Sequence, residues 1–339
     1  MNYSEPLPKI HPMVLAQNQV IDAMEMLDRR PETFVRWPFP ELDALTGPMA
    51  PGNIWFVVAT SGGGKTTFVS SVVDLWRTQG KRVYVMALET RPKEFRTYLA
   101  CMATGVHPGD ALSGQLLERP DAAQVRERLK TELMGQYKSP YVDRIMVSGA
   151  RSIDMHGLET ALQEAKAFRA DVVIVDHIDH IEGGDGKSPY NEAKLVNDGA
   201  LRFAQDNDLL LLFTSQLNMS GSKGDYLAKY LPPKKDHVAF GSLKERGATG
   251  MIGLFRPIRS RRQDETDEDY NAALRSARAG TGDVAGMLEQ NTMGVSAMKL
   301  RNYGSREGMK VLLSVEHGRV TPMAERDKHG TTYTDVRRI

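Results

Sequence analysis

The sequence predicts an α/β fold in which helices cover both faces of a mainly parallel, twisted β-sheet. Short, continuously apolar runs alternate with segments of helical periodicity, and strands that are apolar along their whole length are typical of a sheet buried on both faces. A glycine-rich turn joins the first of these runs to the first helix. The predicted strands are 53–59, 82–88, 143–149, 171–176 and 209–216.

Helices are expected between these strands because the intervening segments carry apolar residues at helical spacing. The first begins at Gly64 and ends near Thr78, just before Gly80. A strand, a glycine-rich turn and a helix in this order form the arrangement that binds phosphate at a helix amino terminus. The remaining helices are predicted around 91–104, 120–134, 155–168 and 190–206.

The composition of the chain changes after residue 216. Residues 219–240 are polar and carry several lysines, and a loop of this length in a compact domain is typically functional or disordered. Residues 259–280 are strongly charged and predict a surface insertion with a helix, to which no function is assigned.

Three further strands are predicted in this part of the chain. One is expected at 251–257. The segments 294–302 and 308–320 are predicted to pair as antiparallel strands around the turn between Gly304 and Gly308.

A chain of 339 residues has room for one dominant α/β domain with appendages. We predict an N-terminal arm and helix over 1–33, the α/β domain over 34–325 and a C-terminal tail over 326–339. The helix is expected between prolines 12 and 31, and it either packs on its own domain or docks on a neighbouring subunit. Its apolar face consists of Val14, Leu15, Val20, Ile21, Met24 and Leu27.

The composition excludes several classes of protein. Lys and Arg total 44 against 43 Asp and Glu, so any contact with nucleic acid must be local rather than produced by a global positive charge. The one cysteine excludes an intrachain disulfide framework and fits a reducing cytosol. No apolar run is long enough to span a membrane and the N-terminus lacks a signal peptide, so a cytoplasmic location is expected.

Residues 59–66, Ala-Thr-Ser-Gly-Gly-Gly-Lys-Thr, match a phosphate-binding loop except that Ala59 stands where the general pattern has glycine. The glycines let backbone amides approach the phosphates, Lys65 supplies a cation and Thr66 supplies a hydroxyl for Mg²⁺. ATP and Mg²⁺ are therefore the expected cofactors. The predicted nucleotide-binding residues are Ala59, Ser61, Gly62, Gly63, Gly64, Lys65, Thr66 and Thr67.

Three strand ends supply polar groups suited to hydrolysis. Asp176 is predicted to act with Thr66 in holding Mg²⁺, and Glu89 to orient or deprotonate the attacking water. Gln216 is a candidate sensor of the γ-phosphate, although a buried amide with a structural role is the alternative. Nearby, His177 and Asp179 are polar alternatives to Asp176, but the interpretation as turn residues is favoured.

These motifs together resemble the RecA-like motor domain of the DnaB-type hexameric replicative helicases, including those of phages. The resemblance covers roughly residues 36–320. Ala59 fits it, because this family often opens the phosphate loop with alanine. The segments that carry it are FPELDALTGPMAPGNIWFVVATSGGGKTT, MALET, VVIVDHIDHI, LLLLFTSQLN, GSLKERGATG and MKLRNYG.

The resemblance implies roles for individual residues. Glu89 would be the catalytic base, and Gln216 would link the γ-phosphate to the DNA-binding loops. Lys299 and Arg301 match a pair that family members insert into the neighbouring subunit's ATP site, with Arg301 as the arginine finger. Alternation along a strand places both side chains on one face. A finger that acts in trans implies an oligomer, and the resemblance implies a hexamer.

The resemblance also implies a single-stranded DNA contact in the segment 242–247, through Lys244, Glu245 and Gly247. Loop 219–240 would line the same central pore. A few lysines repeated around a ring would bind phosphates without sequence preference. DNA binding is then compatible with the near-zero net charge of the chain. By resemblance, movement along DNA would run from 5′ to 3′. Primase, polymerase or a helicase loader are possible partners, and no membrane is expected.

Two features depart from the bacterial members of the family. Residues 1–33 are too few for the helical N-terminal domain that recruits primase, so none is expected. One cysteine cannot build a zinc-binding primase module. Two rival functions stay open, a RecA- or RadA-like recombination ATPase and a P-loop ATPase that acts on protein partners.

Overall fold

The computed structural model describes residues 33–136, 138, 142–149, 153–182, 189–217, 230–238, 241–259, 261–278, 282 and 285–323, together with 20, 21, 23–25, 27 and 28. The predicted arm at 1–12, most of the polar loop at 219–240 and the predicted tail at 326–339 lie outside the described residues.

Eleven strands alternate with helices in the described chain. The strands are β1 (Ile54–Ala59), β2 (Val83–Ala87), β3 (Ile145–Ser148), β4 (Ile153–Asp154), β5 (Val172–Asp176), β6 (Ile181–Glu182), β7 (Leu210–Gln216), β8 (Gly250–Phe255), β9 (Thr292–Leu300), β10 (Lys310–Glu316) and β11 (Arg319–Thr321). The helices are α1 (Pro40–Thr46), α2 (Lys65–Thr78), α3 (Pro92–Thr104), α4 (Pro108–Ser113), α5 (Ala122–Gly135), α6 (Met155–Ala167), α7 (Pro189–Asp206), α8 (Gly241–Gly247) and α9 (Asp267–Arg278).

One sheet organises these elements, with the strand order β11-β10-β9-β8-β1-β7-β5-β2-β3. The strands from β8 to β3 in this order run parallel, whereas β9, β10 and β11 are antiparallel to their neighbours. Strands β4 and β6 form a separate short parallel pair. The mainly parallel sheet predicted from the apolar runs is confirmed.

Both faces of the sheet are buried, as the continuous apolar strands require. In β1, Trp55 and Val57 belong to one core cluster and Phe56 and Val58 belong to the other. Helices α2 and α3 cover the first face, and α6 and α7 cover the second. Successive strand residues point to opposite faces, so a strand covered on both sides is apolar at every position.

The C-terminal antiparallel strands are confirmed, but the predicted strand 308–320 is interrupted. It consists of β10 and β11, which pair as a hairpin through Glu316 and Arg319. Between them, His317 and Gly318 have φ angles of 48° and 76°. Two central residues with positive φ form the tight turn that matches the twist of a hairpin. The sequence His-Gly was therefore a turn signal within an apparently continuous strand.

Four apolar residues of the N-terminal segment are exposed. Residues 20, 21, 23–25 and 27 are helical, and Val20, Ile21, Met24 and Leu27 are between 54% and 86% exposed. In the described part of the segment, the predicted apolar face does not pack on the core of its own chain. Among the described residues, no helix combines the length and the apolar content that a membrane crossing requires.

Candidate nucleotide-binding site

The predicted site residues converge on the edge of the sheet where the parallel strands end. In the sheet register Ala59 lies opposite Gln216, and Ala87 lies opposite Asp176. Because β1, β7, β5 and β2 are consecutive neighbours, the loops that follow them share one surface. This carboxyl edge is where open parallel sheets bind their ligands.

The loop between β1 and α2 has a conformation that depends on glycine. Gly62 and Gly64 have φ angles of 68° and 90°, which side chains rarely adopt. A Cβ atom on Gly63 would lie 2.9 Å from the backbone oxygen of Thr60. The loop therefore leads into α2 with its backbone unobstructed, and the amide groups of the first turn of α2 point toward the space above the loop.

Lys65 is only 7% exposed and lies among carboxylates. Its Nζ atom is 3.5 Å from the backbone oxygen of Ala59. Burial lowers the pKa of Lys65, and the nearby charges of Glu89, Asp176 and Asp179 oppose that shift. Thr66 and Thr67 follow in the first turn of α2 and are half-buried. The predicted cation and hydroxyl groups thus lie at the mouth of the loop.

Asp176 ends β5 and is fully buried. Thr214 donates a hydrogen bond of 2.5 Å to its Oδ1 atom, whereas Oδ2 has no hydrogen-bond partner among the described residues. Burial raises the pKa of Asp176, with a further contribution from the charge of Glu89. A buried carboxylate oxygen without a partner requires an explanation, and a water ligand of Mg²⁺ provides one. The residues present therefore fit the predicted Mg²⁺.

Glu89 lies beside Asp176 because β2 pairs with β5, and strands β5 and β7 separate β2 from the phosphate-loop strand β1. The amides of Leu88 and Glu89 donate to the backbone oxygen of Asp176 at 2.7 and 3.0 Å. The Glu89 side chain is 45% exposed, and its Oε2 atom is 3.5 Å from Nε2 of His177. The carboxylate therefore faces the open side of the site, where an attacking water would have access.

Asp179 and His177 form contacts that the interpretation as simple turn residues did not anticipate. Oδ2 of Asp179 accepts hydrogen bonds from the Gln216 amide and from the Ser215 hydroxyl, each at 3.0 Å. The same oxygen is 3.4 Å from Nδ1 of His177. Burial alone would raise the pKa of Asp179, but His177 and Lys244 outweigh it and hold this pKa well below its usual range.

Gln216 ends β7 on the same edge. Its side-chain nitrogen is 3.4 Å from Nε2 of His177, and its backbone amide is held by Asp179. Gln216 is therefore brought together with Glu89 around one imidazole ring. The sequence identified Gln216 and Glu89, but the spacing between separate strands gave no sign that His177 and Asp179 join them.

Lys244 differs from its sequence prediction as a direct DNA contact. Its side chain is only 2% exposed, and its Nζ atom donates to Asp179 Oδ1 at 2.5 Å and to Ser215 Oγ at 2.7 Å. A buried charge is stable only when it is paired, and Asp179 supplies that pair. In this conformation the Lys244 charge is inside the protein and cannot reach DNA. Glu245 is half-buried and pairs with Lys235 at 2.9 Å, and Gly247 ends the helix.

Lys299 and Arg301 lie far from the phosphate loop of their own chain. Leu300 pairs with Gly250, and Gly250 pairs with Trp55 at the amino end of β1. The loop begins beyond Ala59, at the other end of β1. At a rise of about 3.3 Å per residue, Trp55 and Ala59 are roughly 13 Å apart.

The two side chains nevertheless lie together, although β9 ends at Leu300 and Arg301 follows in the turn. Lys299 Nζ donates to the backbone oxygen of Glu245, and Arg301 Nη2 donates to that of Arg246 at 3.0 Å. Both acceptors belong to α8, so the pair is gathered at the carboxyl end of that helix.

A cavity of about 630 Å³ adjoins the glycines of the loop. Its volume suits a small organic ligand. This cavity was not predicted, because its lining combines the loop with segments that are distant along the chain. Polar residues that line it are His107, Arg256, Glu289, Gln290, Asn291 and His317.

The fold and these groups define a RecA-like P-loop ATPase. A family model of the DnaB-like helicase C-terminal domain matches residues 35–280, which is well over half of the chain. The chain belongs to this family, and the predicted membership is confirmed. It is thus an ATPase of the replicative helicase type.

Two solved structures share this fold. The ATPase domain of G40P superposes with a TM-score of 0.66 at 17% identity, covering 93% of this chain and 100% of that one. A DnaB-like replicative helicase, described with its interactions with primase, gives a TM-score of 0.65 at 16% identity, covering 90% of this chain and 68% of that one. No curated protein sequence matches the chain.

Proposed function

We propose that this chain is the motor of a ring-shaped helicase that hydrolyses Mg-ATP, moves along single-stranded DNA and unwinds the duplex ahead of it. The observation that carries the proposal is the position of Lys299 and Arg301. They lie at the edge of the sheet opposite the phosphate loop, so a subunit cannot complete its own site with them. A second copy is required, and repetition of one such contact closes a ring.

Within one subunit, the residues around the loop have separate roles in hydrolysis. The loop amides and Lys65 hold the phosphates, while Thr66 and, through water, Asp176 would hold Mg²⁺. When bound, Mg²⁺ neutralises charge on the β- and γ-phosphates. Glu89 orients the attacking water and accepts its proton. Gln216 is placed to bond the γ-phosphate, which ties the state of the nucleotide to the end of β7.

The cavity beside the loop is suited to the nucleoside part of ATP. Gly62, Gly63 and Thr67 form its wall toward the phosphates, and Arg256 and His317 belong to its other side. Aromatic and guanidinium groups stack on the face of a nucleobase. The phosphates and the base would therefore lie on one continuous surface between the loop and the strands β8 to β10.

The neighbouring subunit would complete the site with Arg301 as the finger and Lys299 beside it. Cations that approach the γ-phosphate from outside stabilise the charge that develops during transfer, and such fingers contribute about 10³- to 10⁵-fold to turnover. Gathered at the carboxyl end of α8, the two residues are positioned as a unit. A monomer alone should be a poor ATPase.

The exposed apolar residues of the N-terminal segment favour the docking of this helix on a neighbour. Val20, Ile21, Met24 and Leu27 do not contact their own core in this conformation. Against a second copy, burial of such side chains contributes about 1.5–3 kcal/mol each. Together with the trans-acting finger, this helix would hold the ring, for which we propose six subunits.

For DNA, we propose that α8 and the loop 219–240 face the pore. Arg246 is exposed on α8, unlike Lys244, and Gly247 offers backbone that phosphate can approach. Contacts of this kind with the DNA backbone are sequence-independent and weaken as salt rises. Arg246 therefore replaces Lys244 as the cation we assign to the strand.

The finer assignments extend the family membership. We propose that 34–325 is the motor, that 1–33 supplies the docking helix, that 326–339 is a tail, and that movement runs from 5′ to 3′. Replication of a phage-like genome is the proposed setting, with a primase, a polymerase or a loader as partners.

Steady-state ATP hydrolysis with and without single-stranded DNA, together with strand displacement on a forked duplex, tests this function. Stimulation by DNA and displacement that requires ATP would support it. Stimulation without displacement, together with filaments seen by electron microscopy, would favour a recombination ATPase. Hydrolysis that ignores DNA at low salt would favour an ATPase that acts on protein partners.

A further inference from the structure

A chain of polar and charged side chains runs from the catalytic carboxylate to helix α8. Glu89 Oε2 is 3.5 Å from His177 Nε2, and His177 Nδ1 is 3.4 Å from Asp179 Oδ2. Asp179 Oδ1 then accepts from Lys244 Nζ at 2.5 Å. Two strand ends and one helix are thereby joined through consecutive contacts.

Asp179 is the branch point of this chain. Its Oδ2 atom also accepts from the amide of Gln216 at 3.0 Å, so one carboxylate contacts both the nucleotide-facing residues and α8. Lys244 is bonded in addition to Ser215 Oγ at 2.7 Å. A lysine this deeply buried is stable only near its counter-charge, so α8 cannot move away from Asp179 without leaving an unpaired charge.

The carboxyl end of α8, which begins directly after Lys244, holds the finger residues. The last carbonyl groups of a helix have no partner within it and carry its negative partial charge, and cations bind there. Glu245 and Arg246 offer these carbonyls to Lys299 and Arg301. Lys235 pairs with Glu245 at 2.9 Å and with Glu307 at 3.1 Å, and this ion triad stabilises the same end of α8. Glu307 accepts from the Leu300 amide, between the two finger residues.

We propose that Asp179 is a positioning residue which, through Lys244, couples helix α8 to the nucleotide-facing residues Gln216 and His177. Helix α8 thereby links three places: the subunit's own γ-phosphate site, the DNA pore, and the finger that completes the neighbour's site. A change at the nucleotide of one subunit is transmitted to the nucleotide site of the neighbouring subunit through one rigid helix. The inference rests on the proposed function, since it names the device that couples hydrolysis to DNA.

Three variants of the full chain test the coupling. Asp179→Asn and Lys244→Met each remove one charge, and the double variant removes both, so that no unpaired charge is left buried and folding is preserved. The measurements are the affinity for ATP, the turnover without DNA, and the factor by which single-stranded DNA raises turnover. Glu127→Gln and Lys130→Met, which remove an exposed ion pair of 2.7 Å on α5, are the matched controls.

The expected result is a loss of DNA stimulation by about fivefold or more, at unchanged affinity for ATP, in both single variants and in the double variant. Lys244→Arg, which retains the charge, should retain most of the stimulation, and the controls should behave as wild type. A merely structural role would lower all three quantities together.

A parallel fall of all three quantities would overturn the inference, and so would two further results. If the wild type is stimulated and the double variant is stimulated equally, the coupling is absent while the proposed function stands. If the wild type itself ignores DNA, the proposed function fails, and this inference fails with it.

Discussion

Arg301 and Lys65 lie at opposite ends of one sheet, although both are expected at the same γ-phosphate. Lys65 lies beyond the carboxyl end of β1. Arg301 directly follows Leu300, which pairs with Gly250 beside the amino end of β1. Under the proposed function, the chemistry is therefore divided between two copies of the chain, and hydrolysis requires an oligomer.

The geometry of the phosphate loop predicts the effect of one added methyl group. Gly63→Ala would place a Cβ atom 2.9 Å from the Thr60 oxygen and 3.0 Å from the Ala59 Cβ. A strain of about 1–3 kcal/mol in the loop should weaken ATP binding by roughly 10- to 100-fold.

The matched control for this variant is Gly135→Ala at the end of α5, where an added Cβ meets nothing within 4 Å. Titration with a fluorescent ATP analogue measures both variants. Equal affinity in the two would refute the close packing assigned to the loop.

The Oδ2 atom of Asp176, which has no hydrogen-bond partner among the described residues, predicts how hydrolysis depends on the Mg²⁺ concentration. Asp176→Asn keeps an acceptor for the Thr214 hydroxyl but removes the charge, so the Mg²⁺ concentration that gives half-maximal hydrolysis should rise about 10- to 100-fold. A Mg²⁺ titration at saturating ATP measures this. The same half-maximal concentration in the variant and the wild type would exclude Asp176 from the metal site. Asp171→Asn at the other end of β5 is the control.

The exposed N-terminal helix predicts a variant that loses assembly but not folding. Replacing Met24 and Leu27 by serine should leave the thermal unfolding of the subunit within about 0.5 kcal/mol, because exposed positions contribute little to the fold. Sedimentation at a fixed concentration should show smaller assemblies. Leu117→Ser, at an exposed leucine between α4 and α5, is the control that should sediment as wild type. Unchanged assembly in the double variant would contradict docking on a neighbour.

Cys101 provides a test of the core between α3 and α5. Burial raises the pKa of this thiol to about 11. At pH 8, about one Cys101 side chain in a thousand is then a thiolate in the native protein. Labelling by a thiol reagent should therefore be slow, and it should become fast in urea.

The sign of the corresponding pH dependence follows from the raised pKa. The contribution of Cys101 to stability is fully present below the pKa of the unfolded thiol, near 9, and is lost as the pH rises through 11. Cys101→Ala should therefore show a smaller loss of thermal stability between pH 8 and pH 11 than the wild type. Rapid labelling of the native protein at pH 8 would contradict this burial.

The sequence was sufficient for elements that depend on local pattern. The parallel strands were predicted because a strand buried on both faces is apolar throughout, and Gly62 to Thr66 because phosphate binding needs those residue types in that order. It was insufficient for contacts between distant strand ends. Asp179 and Lys244 are 65 residues apart, and nothing in the spacing indicates that they share a hydrogen bond.

Lys244 shows the physical reason for one wrong expectation. A lysine in a short polar helix is usually exposed, and periodicity over seven residues cannot decide which face is covered. Here the deciding factor is a carboxylate from another segment, which stabilises the charge inside the protein. The break at His317 has a different and local cause, since the positive φ angles of His317 and Gly318 interrupt what the apolar pattern predicted as one strand.

Mixing two inactive variants tests the central claim most directly. Lys65→Ala loses the phosphate-binding cation and Arg301→Ala loses the finger, so each alone should be inactive in DNA-stimulated hydrolysis. If subunits are mixed in equal amounts before assembly, roughly one quarter of the interfaces combine an intact loop with an intact finger, because each subunit is drawn independently. The account predicts recovery toward that fraction of wild-type turnover. No recovery, or full activity in Arg301→Ala alone, would contradict a finger supplied by the neighbouring subunit.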